Sequence, residues 1–123
     1  MKNLVAFFEI PATNFERAVK FYETVLNIQL DGLCDCGTEK MAFFPEEGGQ
    51  CPGAISWAAD LHPSKDGVLI HLQVENLEAA IAAIEKAGGK IIRPKTKIEA
   101  EGRGYFALFI DSERNRVGIY SDK

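Results

Sequence analysis

The chain is 123 residues long, 46% hydrophobic and 26% charged, with a net charge of −4. These values describe one globular domain able to bury a sizeable core, and its scattered lysines and arginines lack the clustering a nucleic-acid surface needs. No apolar run approaches the roughly 20 residues of a membrane span, and the N-terminus shows neither a charged n-region nor an h-region, so a mature cytoplasmic protein is expected.

Leu4–Ile10 reads as the first strand, with Leu4, Ala6, Phe8 and Ile10 on an apolar face suited to a covering helix. Val5, Phe7 and Glu9 share the other face, and Pro11, lacking a ladder donor, ends the strand. Thr13-x-x-Glu16 has the form of a capping box, with Asn14 as a competing cap. The helix it opens carries one stripe (Phe15, Ala18, Val19, Tyr22, Val25, Leu26) and stops at Asn27. Three short strands are predicted next, about Ile28–Cys34, Lys40–Pro45 and Gly53–Ala58, the last two joined by a turn-rich loop.

Asp60–Gly67 is polar and holds Pro63 and Gly67, so it reads as a linker between a first half (about residues 1–60) and a second (about 68–123) of a single domain. His62 within it reads as a solvated loop residue. Val68–Val74 alternates like the first strand, with His71 and Gln73 on the face opposite Ile70 and Leu72. A helix over Asn76–Ala87 follows, closed by Gly88-Gly89. Further strands are predicted at Ile91–Arg93, Tyr105–Ile110 and Arg116–Ser121. The polar stretch Pro94–Gly104 reads either as a mobile flap over a site or as an ordinary exposed loop.

The two halves repeat one another at a constant offset of 62 positions: Glu9 matches His71, Asn14 matches Asn76, Tyr22 matches Ile84. A repeat of this kind is one supersecondary unit that cannot bury its hydrophobic face alone. The predicted fold is α+β: two βαβββ modules forming a curved mixed β-sheet around a cavity, with the helices outside.

This duplicated pattern resembles the vicinal oxygen chelate superfamily of glyoxalases, bleomycin-resistance proteins and extradiol dioxygenases. Phe8–Leu26, Pro52-Gly53-Ala54, Asp66–Lys90 and Gly104–Ser121 carry the resemblance, most specifically Phe21-Tyr22, Ala87-Gly88-Gly89 and Asp111-x-x-x-Asn115. The resemblance implies a metal site on the first and last strands of each module. At the matching positions stand Phe7, Leu69 and Gly118, and Gly53–Ala58 holds no His, Asp or Glu. These side chains cannot coordinate a divalent ion, so no metal or other cofactor is expected.

Strand alternation directs Glu9, His71 and Gln73 toward the space between the modules, with Tyr120 sharing that face and Trp57 as its counterpart in the first module. Phe7, Glu9, Trp57, His71, Gln73 and Tyr120 are therefore the expected ligand-binding residues. Such a set can orient a small polar molecule amid aromatic contact area. Glu9 and His71 could instead act as acid and base, as in a lactoylglutathione-lyase-related enzyme, or as a displaced weak metal site. They could also simply pair to satisfy buried polarity. Expected partners are a small-molecule ligand and a second copy of the chain in a homodimer, with neither nucleic acid nor membrane. Cys34, Cys36 and Cys51 are an odd set without a secretion signal, which suits reduced thiols; one-residue spacing is short for a zinc-ligand pair.

Overall fold

Two asparagines set the entry of the two helices. In the computed structural model, which describes residues 5–46, 48, 52–100 and 102–123 apart from the Leu33 side chain, Asn14 accepts the Arg17 N–H and opens α1 (Phe15–Leu26). Asn76 accepts the Ala79 N–H and opens α2 (Leu77–Lys86). An extended cap residue whose side chain satisfies an otherwise orphaned N–H is what places asparagine here. α1 stops at Asn27 in the left-handed conformation, and Gly88, at φ 97°, follows the end of α2.

The capping box Thr13-x-x-Glu16 does not form. The N–H groups of Thr13 and Asn14 both donate to the Glu113 carboxylate, 2.9 and 2.7 Å away, so an acid from the far half of the chain takes the place of the local partner. A carboxylate at a helix N-terminus also meets the positive end of the helix dipole.

Each module forms its own four-stranded sheet. The first runs β1 (Phe8–Pro11), β4 (Gly53–Ala58), β3 (Glu39–Phe43), β2 (Asp31–Asp35); the second runs β5 (His71–Gln73), β8 (Arg116–Ser121), β7 (Tyr105–Ile110), β6 (Lys90–Lys97). In both, the strand before the helix pairs in parallel with the last strand, and the other pairs are antiparallel. The expected α+β architecture of two strand–helix–three-strand modules is present, as two mixed sheets without a closed barrel.

Several boundaries differ from the predicted ones. Pro11 is the last paired residue of β1, because the parallel ladder continues through the Ala12 N–H to Ser56 O at 2.8 Å and needs no donor from proline. β5 is shorter than Val68–Val74, although Gly118 N–H to Ile70 O and Val74 N–H to Tyr120 O extend its pairing at each end. β6 runs on through Pro94 to Lys97, absorbing the first part of the proposed flap. The register shift between Arg93 and Thr96, which spans Pro94, accommodates the missing donor on an outer strand, where proline is tolerated. Leu4 and Cys51 lie outside the described residues.

α1 packs on β4 and α2, while α2 packs on β6, β7 and β8. One core spans the two modules. Tyr22 on α1 meets Phe44 of the first module edge-on (6.1 Å between ring centres) and Phe109 of the second (6.5 Å), with Phe21 completing the cluster. Beyond area burial, such aromatic pairs contribute about 0.5–1.5 kcal/mol each.

A polar joint reinforces this core. Tyr22 donates to Asp111 at 2.7 Å; Asp111 also accepts from the N–H groups of Glu113 and Asn115 and from the Asn115 amide. Asn115 donates to Pro11 O at 2.7 Å, and Arg17 grips Glu113 with two nitrogens at 2.7 and 3.1 Å. The β7–β8 turn thus ties the second module to the start of α1. Burial pushes the Asp111 carboxyl above its ordinary value despite these donors, and burial together with the neighbouring Asp111 raises the Tyr22 phenol well above its own. Burial acts upward on Glu113 too, but Arg17 and the helix N–H groups outweigh it and hold its carboxyl below the ordinary value.

Candidate functional site

The helix-covered face of each sheet is buried; the opposite face carries the chemistry. In the second sheet, Ile119, Val117 and Leu72 pack into the core, leaving His71, Gln73, Gly118 and Tyr120 on the open side. The His71 ring lies over Gly118: a Cβ at residue 118 would stand 2.3 Å from His71 Nδ1. Phe106 meets the imidazole edge-on at 5.8 Å, and the Arg93 guanidinium covers Phe106 from 5.1 Å. Burial pulls the His71 imidazole below its ordinary value, which favours the neutral form at neutral pH. Gln73 is exposed opposite Tyr120. The Tyr120 hydroxyl donates to Asp122 at 2.8 Å and accepts from the Gly104 N–H at 3.2 Å, so it is committed to Asp122 and Gly104.

In the first sheet, Phe7 and Glu9 are on the open side, Phe7 being 48% exposed. Glu9 Oε1 accepts from the Ser56 hydroxyl at 2.7 Å. Trp57 is not beside them. The β1–β4 register sets Ala54 opposite Glu9, so Trp57, three residues further along β4, faces the other way with Ile55. It packs against the core, opposite Lys40, whose ammonium lies 5.7 Å from its ring and 3.6 Å from Glu16 on α1. Strand parity is the physical reason for this correction: an odd step along a strand changes face.

A cleft of about 250 Å³ opens between the modules. One wall is Glu9, Ile10 and Pro11 of β1; the other is the segment from His62 to Ile70 with the start of β8 at Asn115–Val117. Glu9 therefore lines the cleft, while His71, just past Ile70, sits beyond its lining, and the described hydrogen bonds and ion pairs do not join the two. The lining of the cleft includes His62, Asp66 and Arg116 as well as Glu9. Sequence reasoning left His62 and Asp66 as residues of a solvated linker and Arg116 at the start of a strand. The one local signal for the first two was the density of charge and imidazole in Asp60–Gly67, and their sharing a cleft with β1 is long-range.

The metal site that the resemblance implies does not fit this donor set. Phe7 and Leu69 offer no lone pair, and the space above Gly118, where a side chain would project, is filled by the His71 ring. Among the described residues, no group of three or more His, Cys, Asp and Glu side chains is placed to hold a metal ion. Cys34 and Cys36 are free thiols, exposed at the β2 edge. No helix of the described residues is long and apolar enough to cross a membrane.

Comparison with known proteins agrees with this architecture. Residues 4–119 match the family model of the Glyoxalase/Bleomycin resistance protein/Dioxygenase superfamily. A glyoxylase-like domain-containing protein of Didymella fabae is 34% identical over 116 residues, covering 90% of this chain and 88% of that protein. Among solved structures, a glyoxylase/bleomycin resistance protein/dioxygenase domain from Frankia sp. EAN1pec superposes with a TM-score of 0.76 at 14% identity, over 100% of both chains. An antibiotic binding protein from Streptomyces sp. CB03234 gives a TM-score of 0.70 at 17% identity, over 100% of this chain and 99% of that one. A glyoxalase I mutant from Zea mays gives 0.75 at 19% identity; 94% of this chain is covered, yet it spans only 45% of the maize chain. With module order, joint and open faces already in place, the match over nearly its whole length means that the chain belongs to the glyoxalase/bleomycin resistance protein/dioxygenase superfamily.

Proposed function

We propose that this chain is a binding domain that holds a small organic molecule at the inter-module cleft, without the metal usual in its family. The observation that carries the reading is the cleft itself, whose lining includes Glu9, His62, Asp66 and Arg116 together with the exposed Val68. Val68 on its wall is 89% exposed, and Phe7 and Val5, preceding β1, are 48% and 62% exposed. Exposed large apolar groups are what a ligand or partner covers, and Val68 lies on the wall of a polar concavity. A second copy of the chain closing over these open faces, in a cytoplasmic homodimer, completes the proposal; the exposed thiols of Cys34 and Cys36 suit a reducing compartment.

Thermal unfolding with a library of small metabolites, with and without EDTA, tests this. A ligand at a hundred times its Kd adds about 2.7 kcal/mol, a rise on the order of 10 °C for a domain this size. The expected result is at least one such compound, with EDTA making no difference. Binding that EDTA abolishes, or a library without a ligand, contradicts the reading.

The lower-than-ordinary pKa of His71 favours one rival, a lyase-related enzyme in which a neutral imidazole takes a proton and Glu9 assists. Turnover lost in both Glu9→Gln and His71→Ala, with thermal stability kept, would establish it over simple binding.

A further inference from the structure

Taking the cleft as the ligand site, we propose that its ligand is a small zwitterion with an aliphatic body, of amino-acid size, its carboxylate held by Arg116 and its ammonium by Glu9 and Asp66. Glu9, Asp66 and Arg116 all line one cleft of about 250 Å³, yet none of them is ion-paired with another. The ion pairs among the described residues are Arg17–Glu113, Lys40–Glu16 and Lys95–Glu78; none joins Glu9 or Asp66 to Arg116.

The backbone of the cleft walls is cross-linked. The Arg116 N–H is tied to Ser64 O at 3.3 Å, and the Ser64 N–H to the Asn115 side chain at 3.1 Å. The same asparagine fixes the opposite wall by donating to Pro11 O at 2.7 Å. Glu9 is held through Oε1 by Ser56, which leaves Oε2 for a ligand. A cleft whose backbone walls are cross-linked keeps its shape without a ligand, and such preorganisation lowers the cost of binding.

The charge pattern then selects the ligand. A simple anion would satisfy Arg116 but meet two carboxylates; a simple cation would leave Arg116 unpaired. A neutral molecule would cover charges without replacing their water, which is costly. A zwitterion satisfies both ends, the carboxylate through the paired nitrogens of a guanidinium. Val68 and Ile70, on the same wall, supply apolar contact for an aliphatic body. A cleft near 250 Å³ is below the roughly 300–1,000 Å³ of drug-sized sites, so the ligand is small.

The test is calorimetric titration with the free L-amino acids, followed by charge-trimmed forms of the best binder: its decarboxylated amine, its N-acetyl acid and its amide. The zwitterion is expected to bind at least about ten-fold more tightly than each trimmed form. Arg116→Gln should remove that advantage over the amine, and Glu9→Gln combined with Asp66→Asn the advantage over the N-acetyl acid, with melting temperatures unchanged. A trimmed form or a neutral compound binding equally well in the cleft overturns the zwitterion assignment and leaves the binding reading standing. If neither amino acids nor library compounds bind, both fall.

Discussion

The two modules share a plan and spend their small residues differently. In the first, Gly53 faces the helix side, and a Cβ there would stand 2.7 Å from the Phe8 ring, which packs with Phe44 at 5.8 Å. In the second, Gly118 faces the open side, and the space a Cβ would occupy belongs to His71. Glycine in one sheet makes room for the core; in the other it makes room for a titratable group. The comparison teaches that fold symmetry does not carry over to chemistry. Glu9 and His71 are equivalent in the repeat, yet one is fixed by a hydroxyl at the cleft and the other lies on an aromatic surface past its edge.

The largest expected effect is at the joint that makes the two modules one domain. Asp111→Ala strands the Tyr22 hydroxyl, two backbone N–H groups and the Asn115 amide, and should cost about 3 kcal/mol or more in urea unfolding. A loss below about 1 kcal/mol would mean the modules are held by the aromatic core alone.

Glu113 should show itself in the acid limb. Its carboxyl is held below the ordinary value, so its contribution is fully present above the unfolded pKa of about 4.3 and is lost as pH falls through the folded value. Stability of Glu113→Gln should therefore fall less steeply below pH ~4 than that of the parent. The raised Asp111 carboxyl has the opposite sign: the folded state takes up its proton first, so that group alone adds stability as pH falls toward its unfolded value.

The glycines sharpen the contrast directly. Gly53→Ala forces Phe8 against a packed core and should cost about 1–3 kcal/mol. Gly118→Ala should cost under about 1 kcal/mol, because the imidazole can swing into open space, but should shift the His71 resonances and loosen its contact with Phe106. Equal costs would remove the distinction between a core-side and a site-side glycine. Smallest of all, Lys95→Ala breaks a surface pair with Glu78 at 2.8 Å and should barely move the unfolding midpoint, with less effect still in high salt.

What was legible in the chain was local. The Asn14 and Asn76 caps, the apolar stripes behind them and the alternation of β1 gave both helices, the module order and the open-side placement of Glu9 and His71. What failed depended on partners distant in sequence. Glu16 looked like a capping acid because Glu113, 97 positions beyond it, could not be known to take the N–H groups of Thr13 and Asn14. Trp57 was set in the wrong layer because its face depends on register with β1, which the chain does not state. Pro94 suggested a loop, whereas an outer strand tolerates it through register shifts. His62 and Asp66 of the linker and Arg116 of β8 come to line the same cleft as Glu9 only in the folded chain.

A crystal of the protein grown with Ni²⁺ and a ligand from the metabolite library, measured at the nickel edge, tests the central claim most directly. The expected result is ligand density in the cleft between Glu9 and Arg116 without an anomalous peak beside it. A nickel peak held by Glu9, His71 or their neighbours, or a cleft filled by water while the ligand sits elsewhere, would contradict it.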